Sequence, residues 1–104
     1  MAYVYSTRFV EEEVAAGGSG GIYTVPAGYV AVIRTVAITA QASGAGLGLL
    51  YRGGSIGLAA LRSVTQYDTA VVNCRHVLNG GDVLNFAAFV VGFSVSVSGY
   101  LLEV

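Results

Sequence analysis

Apolar and polar residues alternate with period two through most of this chain, and glycine clusters cut the alternation into short runs. From 29 to 40 the even positions read Val30, Val32, Arg34, Val36, Ile38 and Ala40. From Ala70 they read Ala70, Val72, Cys74, His76 and Leu78. From Phe93 the odd positions read Phe93, Val95 and Val97, with serines between them. Successive side chains of a strand point to opposite faces, so such runs are half-buried strands. Their β-branched and aromatic residues suit a pleated surface.

The breaks carry turn chemistry. Gly17-Gly18-Ser19-Gly20-Gly21 reads as a flexible loop. Pro26-Ala27-Gly28 reads as a turn, with Pro fixing φ at the second position and Gly accepting positive φ at the fourth or in a following bulge. Asn79-Gly80-Gly81-Asp82 is a further turn signal. At Gly99 the alternation shifts from Val95/Val97 to Tyr100/Leu102/Val104, as one extra residue at a β-bulge would shift it. Pro26, Gly28, Gly80, Gly81 and Gly99 are therefore the expected structural positions. The runs give about eight strands: 3–12, 22–25, 29–40, 46–51, 55–60, 67–78, 82–89 and 92–104. The segment 58–62 (LAALR) also fits a short helix by propensity. The expectation is an all-β, single-domain antiparallel β-sandwich over 1–104, jelly-roll-like. Residues 1–14 form either an edge strand or an interaction arm ahead of the glycine loop.

Composition constrains how such a sandwich lives. Hydrophobic residues make up 55% of 104 and charged residues 11%, with no lysine. Soluble domains carry about 25% charged residues. A chain this size keeps roughly 5,500 Å² exposed, so much apolar material must lie outside and be covered by other protein. Formal charge is −1, and five scattered arginines make no basic stripe, so nucleic acid is not an expected partner. The longest apolar run, 86–93, is far short of the about 20 residues of a membrane span, so no membrane is expected. The first residues lack the basic and long apolar regions of a signal peptide, and synthesis in the host cytoplasm is expected. One cysteine allows no disulfide within the chain.

Catalytic patterns are weak. Gly44-x-Gly46-x-Gly48 precedes a strand-like run rather than the helix of a dinucleotide loop, and a Walker loop lacks its lysine. Cys74 and His76 share a strand face and are the candidates for a nucleophile–base pair or half a metal site. Zinc needs more ligands, a thiol nucleophile needs an orienting group, and the plainer reading is a thiol packed as a small hydrophobe. Glu11 and Glu13 share one face and Glu12 takes the other, a solvated or interface charge set. Arg34, on an otherwise apolar face, needs a carboxylate partner in its own chain or across an interface. Aromatics and arginine are enriched in interface centres. Tyr3, Tyr5, Phe9, Arg34, Tyr51 and Arg52 are the candidate interface residues.

Three segments carry a resemblance. Gly21 to Tyr29 (GIYTVPAGY) with Val32 to Val36 (VIRTV), His76 to Leu84 (HVLNGGDVL), and Ser96 to Leu102 (SVSGYLL) resemble, in order, strand and hairpin segments of small virion proteins of tailed bacteriophages. Asn73-Cys74-Arg75 stands where that pattern has a tryptophan. The resemblance implies a structural subunit with no catalytic residues and no cofactor. It implies residence in the virion as a homo-oligomer, with contacts to other virion proteins such as the major capsid protein. Head decoration, as a cement protein, is the expected role. A minor tail or neck subunit is the alternative, and a carbohydrate-binding β-sandwich module a further one.

Overall fold

A computed structural model describes residues 4–53 and 56–103, with side chains from Phe9 onward. Eight strands form: β1 (Val4–Val14), β2 (Ser19–Thr24), β3 (Tyr29–Ala40), β4 (Gly46–Arg52), β5 (Ile56–Ser63), β6 (Thr69–Leu78), β7 (Val83–Phe89) and β8 (Phe93–Glu103). Every pairing is antiparallel. One sheet runs β1-β8-β3-β6 and the other β2-β7-β4-β5. All connections except the β4–β5 hairpin cross between the sheets, which is the jelly-roll solution to covering two half-apolar sheets.

The core lies between the sheets. Ala31, Ile33, Val36, Ile38, Ala40, Val95, Val97 and Leu78 come from one side, and Leu50, Leu84, Phe86 and Ala88 from the other. Phe86 and Phe93 meet edge to face at 6.4 Å between centroids. They occupy the space over β4 that Gly46 and Gly48 leave open, because a Cβ at Gly48 would lie 3.0 Å from both rings. Burying a large aromatic beside a glycine keeps the layers at normal spacing.

The slip in alternation lies on β3, not β8. Ala31 and Ile33 point inward, then Val36, Ile38 and Ala40. Arg34 is the added residue, since Ile33 and Thr35 pair with Gly99 and Ser98, which are consecutive. Phe9 is the matching added residue on β1, between Arg8 opposite Ser98 and Val10 opposite Val97. The strand β8 between them stays regular, with Leu101 still inward. Arg34 is therefore exposed at a bulge, and the expectation of a buried Arg34 does not hold. Val32 sits on the outer face. Gly99 carries no bulge. It is needed because a Cβ there would overlap the carbonyl oxygen of Val32.

Two other expectations change. The glycine segment is not a free hinge: the turn covers only 15–18, and Gly20 and Gly21 pair with Phe86 and Asn85 inside β2. Gly17 N donates to Ala88 O and Ala88 N to Gly18 O, each at 2.9 Å. Residues 4–14 are an edge strand paired with β8 along their length, and Phe9, Val10 and Val14 pack on the core. The stretch 58–62 is strand, because pairing with β4 outweighs its helix propensity. In the 26–29 turn Tyr29 N donates to Pro26 O at 3.3 Å, which puts Gly28, at φ +85°, third rather than fourth.

Gly99→Ala should lower stability by at least about 1–3 kcal/mol, the usual cost of overpacking, or abolish folding. Thermal unfolding checks this, and an unchanged Tm would contradict the close approach of β8 to β3.

Candidate functional site

Cys74 and His76 do face the same way, into the open edge of the core beside β5. The thiol donates toward Ile33 O at 3.7 Å. Burial pushes its pKa up, and the nearby Arg34 guanidinium only partly offsets this. The protonated thiol neither attacks a carbonyl nor binds a metal. Among the described residues no group of three His, Cys, Asp or Glu side chains converges on a metal position. The buried polar residue Ser63 is satisfied, its hydroxyl having Asp68 Oδ2 at 2.9 Å and Thr65 O at 3.0 Å as acceptors for its one proton.

What distinguishes the molecule is its outside. The outer face of the β2-β7-β4-β5 sheet carries Leu47, Leu49, Tyr51, Ala87 and Phe89, alternating with the inward Gly48, Leu50, Phe86 and Ala88. Small residues at Gly17, Gly18, Ser19 and Gly57 make a shallow apolar groove there of about 360 Å³ around Leu49 and Tyr51. The other outer face is divided. Near the 90–92 turn it is polar, with Ser94, Ser96 and Thr39, and Thr39 and Thr69 share a 2.9 Å hydrogen bond. Toward the opposite end it turns apolar, with Val32 buried in register between Tyr100 and Val77.

One end of the sandwich forms an apolar tip. Val64 and Tyr67 in the 64–68 loop, and Phe89 and Val90 where β7 turns into β8, are exposed; Val64, Tyr67 and Val90 are each about two-thirds exposed (68%, 67% and 69%). Tyr67 and Val90 are the described non-glycine residues with positive φ, 68° and 71°. Val91 N donates to Phe89 O at 2.8 Å, so Val90 is the centre of a γ-turn of the rare positive-φ kind. A β-branched residue there is strained. Cross-loop bonds hold the tip: Tyr67 N to Ala40 O, Ala40 N to Asp68 O, Gly44 N to Val64 O and Gln41 N to Gly92 O, all 2.8–3.0 Å. Strain of this kind persists only where the surrounding structure holds it in place.

The candidate interface residues do not converge. Tyr3 lies outside the described residues, and of Tyr5 only the backbone position on β1 is described. Phe9 turns inward, 5.2 Å from Tyr23. Arg34 is exposed on the β3 bulge. Tyr51 lines the apolar groove, and Arg52 pairs with Asp82 at 3.6 Å. The tip residues carried no signal in the sequence, because nothing in a Val or Tyr announces positive φ.

No family profile and no curated protein matches this chain. Solved structures do. A chain in the acidic stable capsid structure of Helicobacter pylori bacteriophage KHP30 matches over 100% of this chain and 94% of its own, with TM-score 0.59 and 9% identity. Lower similarity is found to Eiger TNF from S. frugiperda (TM-score 0.43, 11% identity, 100% of this chain and 92% of that one). The same holds for infectious bursal disease virus Gx strain (TM-score 0.45, 13% identity, 98% of this chain and 31% of that one). The phage match shows a shared fold from end to end.

Two outcomes follow from this geometry. Cys74→Ala should fold with at most a modest packing loss. In the native protein the Cys74 thiol should alkylate more slowly than an unfolded thiol at mildly alkaline pH. Because its folded pKa is raised, its contribution to stability is present at neutral pH and is lost as pH rises through the folded value. Equal alkylation rates in the native and unfolded chain would contradict the burial. Val90→Gly should keep or raise stability by up to about 1 kcal/mol, since the left-handed penalty of about 1–2 kcal/mol exceeds the entropy cost of glycine. A clear fall in Tm would contradict the strain.

Proposed function

We propose that this chain is a non-enzymatic structural subunit of a virus particle, specifically a bacteriophage head-decoration protein added in many copies to the shell. The observation that carries this reading is the end-to-end fold match with a chain of nearly equal length in a phage capsid structure. A subunit this small, resembling a component of a shell, suits an accessory protein bound to a larger lattice. The chain's own surface agrees. Its apolar tip and apolar sheet face stand open, and covering them would contribute about 25 cal/mol per Å² before association costs. On this reading its partners are other copies of itself and the major shell protein, and the tip is the part that seats on the shell.

The test is add-back. Particles made without this chain, then incubated with the purified protein, should bind it across the head and lose their genome at higher temperature than untreated particles. Binding confined to the tail or neck would replace the decoration role with the tail or neck one. Absence of binding to any part of the particle would contradict the structural reading. In the same assay Val64→Asp with Tyr67→Ser should bind at least about tenfold more weakly, since truncated apolar anchors commonly cost 2 kcal/mol or more.

A further inference from the structure

Two of the five arginines of this chain face each other across neighbouring strands. Ile33 pairs with His76 and Thr35 with Asn73, which sets Arg34 on β3 opposite Cys74 and Arg75 on β6. Ile33 and Val36 point inward, so the bulge turns both residues between them, Arg34 and Thr35, to the outer face. On β6, Cys74 packs on the core, while Asn73 and Arg75 on either side of it lie outward and exposed. The Arg34 guanidinium is near enough to the Cys74 thiol to be felt there, so its charge stays beside β6. Neighbouring strands lie about 4.8 Å apart, and like charges directly opposite each other are destabilising.

Nothing in the chain offsets this pair. Among the described residues no hydrogen bond or ion pair engages either arginine. The strands β3 and β6 carry no acidic residue, and β8 carries only Glu103, its last residue, level with Tyr29 at the start of β3. The polar groups around the pair are donors as well. Thr35 gives its hydroxyl proton to Asn73 Oδ1 at 3.4 Å. That leaves the Asn73 Nδ2 amide, on the same face as Arg75, with no acceptor among the described residues. Ser98, level with Thr35 on β8, adds a hydroxyl. A guanidinium presents planar N–H donors that match a carboxylate or a phosphate two bonds at a time. The whole chain carries a formal charge of −1, so attraction for an anion here is local and not a property of the chain's net charge.

We infer that Arg34, Arg75 and the Asn73 amide form an oxyanion-binding site on the outer face of β3 and β6, whose ligand is a carboxylate or phosphate group. The facing arginines destabilise the free chain, and an oxyanion between them removes that cost by neutralising both at once. The site lies in the middle of β3, away from the tip, where that strand ends at Ala40. It rests on the reading of the chain as an assembly subunit for one point only: in a particle the oxyanion is a carboxylate of a neighbouring protein.

Thermal unfolding in inorganic phosphate, against chloride at equal ionic strength, tests the site, with circular dichroism confirming the fold of each variant. Phosphate stabilises most folds by exclusion from their surface, so the readout is the difference between the wild type and Arg34→Gln or Arg75→Gln. The wild type should gain more Tm from phosphate than either variant, because a ligand of the folded state stabilises it. At low salt without phosphate each variant should melt about 1–5 °C above wild type, since the facing like charges are gone. Equal phosphate gains in all three proteins, or variants that melt below wild type at low salt, would overturn the site. Add-back to particles then separates the two sources of the ligand. A double variant that loses the phosphate gain and binds particles at least about tenfold more weakly assigns the ligand to a carboxylate of the particle. Loss of the phosphate gain with particle binding unchanged keeps the site for free phosphate and overturns the neighbour's carboxylate. A wild type that shows the phosphate gain yet binds no particle sinks the virion reading and leaves the site standing.

Discussion

The close passage of β8 over β3 at Gly99 is the constraint from which the rest of the architecture follows. With no side chain there, the two central strands of one sheet approach until a Cβ on Gly99 would overlap the Val32 carbonyl oxygen. Both neighbours of β8 take up an added residue beside this point, Arg34 on β3 and Phe9 on β1. Bulges increase local twist, and twist is what lets a four-stranded sheet wrap a core of this size. The same two bulges decide which side chains face in. They send Arg34 to the surface and bring Phe9 down onto Tyr23.

A sandwich of this size has two inner faces and too much apolar material to fit between them. The surplus appears in three places: the groove beside Leu49 and Tyr51, the Val32–Tyr100 end of the other sheet, and the tip. The tip differs from the two faces because its apolar residues are held at a conformational cost. Val90 and Tyr67 keep positive φ while hydrogen bonds lock three loops around them.

The all-β sandwich was legible because period two is hard to mistake, and glycine clusters punctuate it at nearly every strand end. The strands 29–40, 46–51 and 82–89 were placed within about a residue. What misled was phase. Val30, Val32 and Arg34 continue the even rhythm of Val36, Ile38 and Ala40 in sequence, yet the bulge puts Ala31 and Ile33 on the inner face instead. A phase slip between two apolar runs can be assigned to either of two paired strands, and only the register tells them apart. Gly17 to Gly21 read as flexible because glycine permits any conformation, whereas pairing with β7 fixes half of it. Of the surface, the separation of Glu11–Glu13 into two faces was readable from alternation. Their place on an edge strand required the strand order, which no local pattern encodes. The tip was invisible for a similar reason, since Val90 looks like one more residue of an apolar run.

The central claim, that this sandwich is a structural part of a virus particle, is tested most directly by quantitative mass spectrometry of intact, purified particles. The account predicts this chain at a copy number comparable to that of the major shell protein, retained after washing in high salt because its seat is apolar. Its absence from intact particles, while present in the lysate of the cells that made them, would contradict the account.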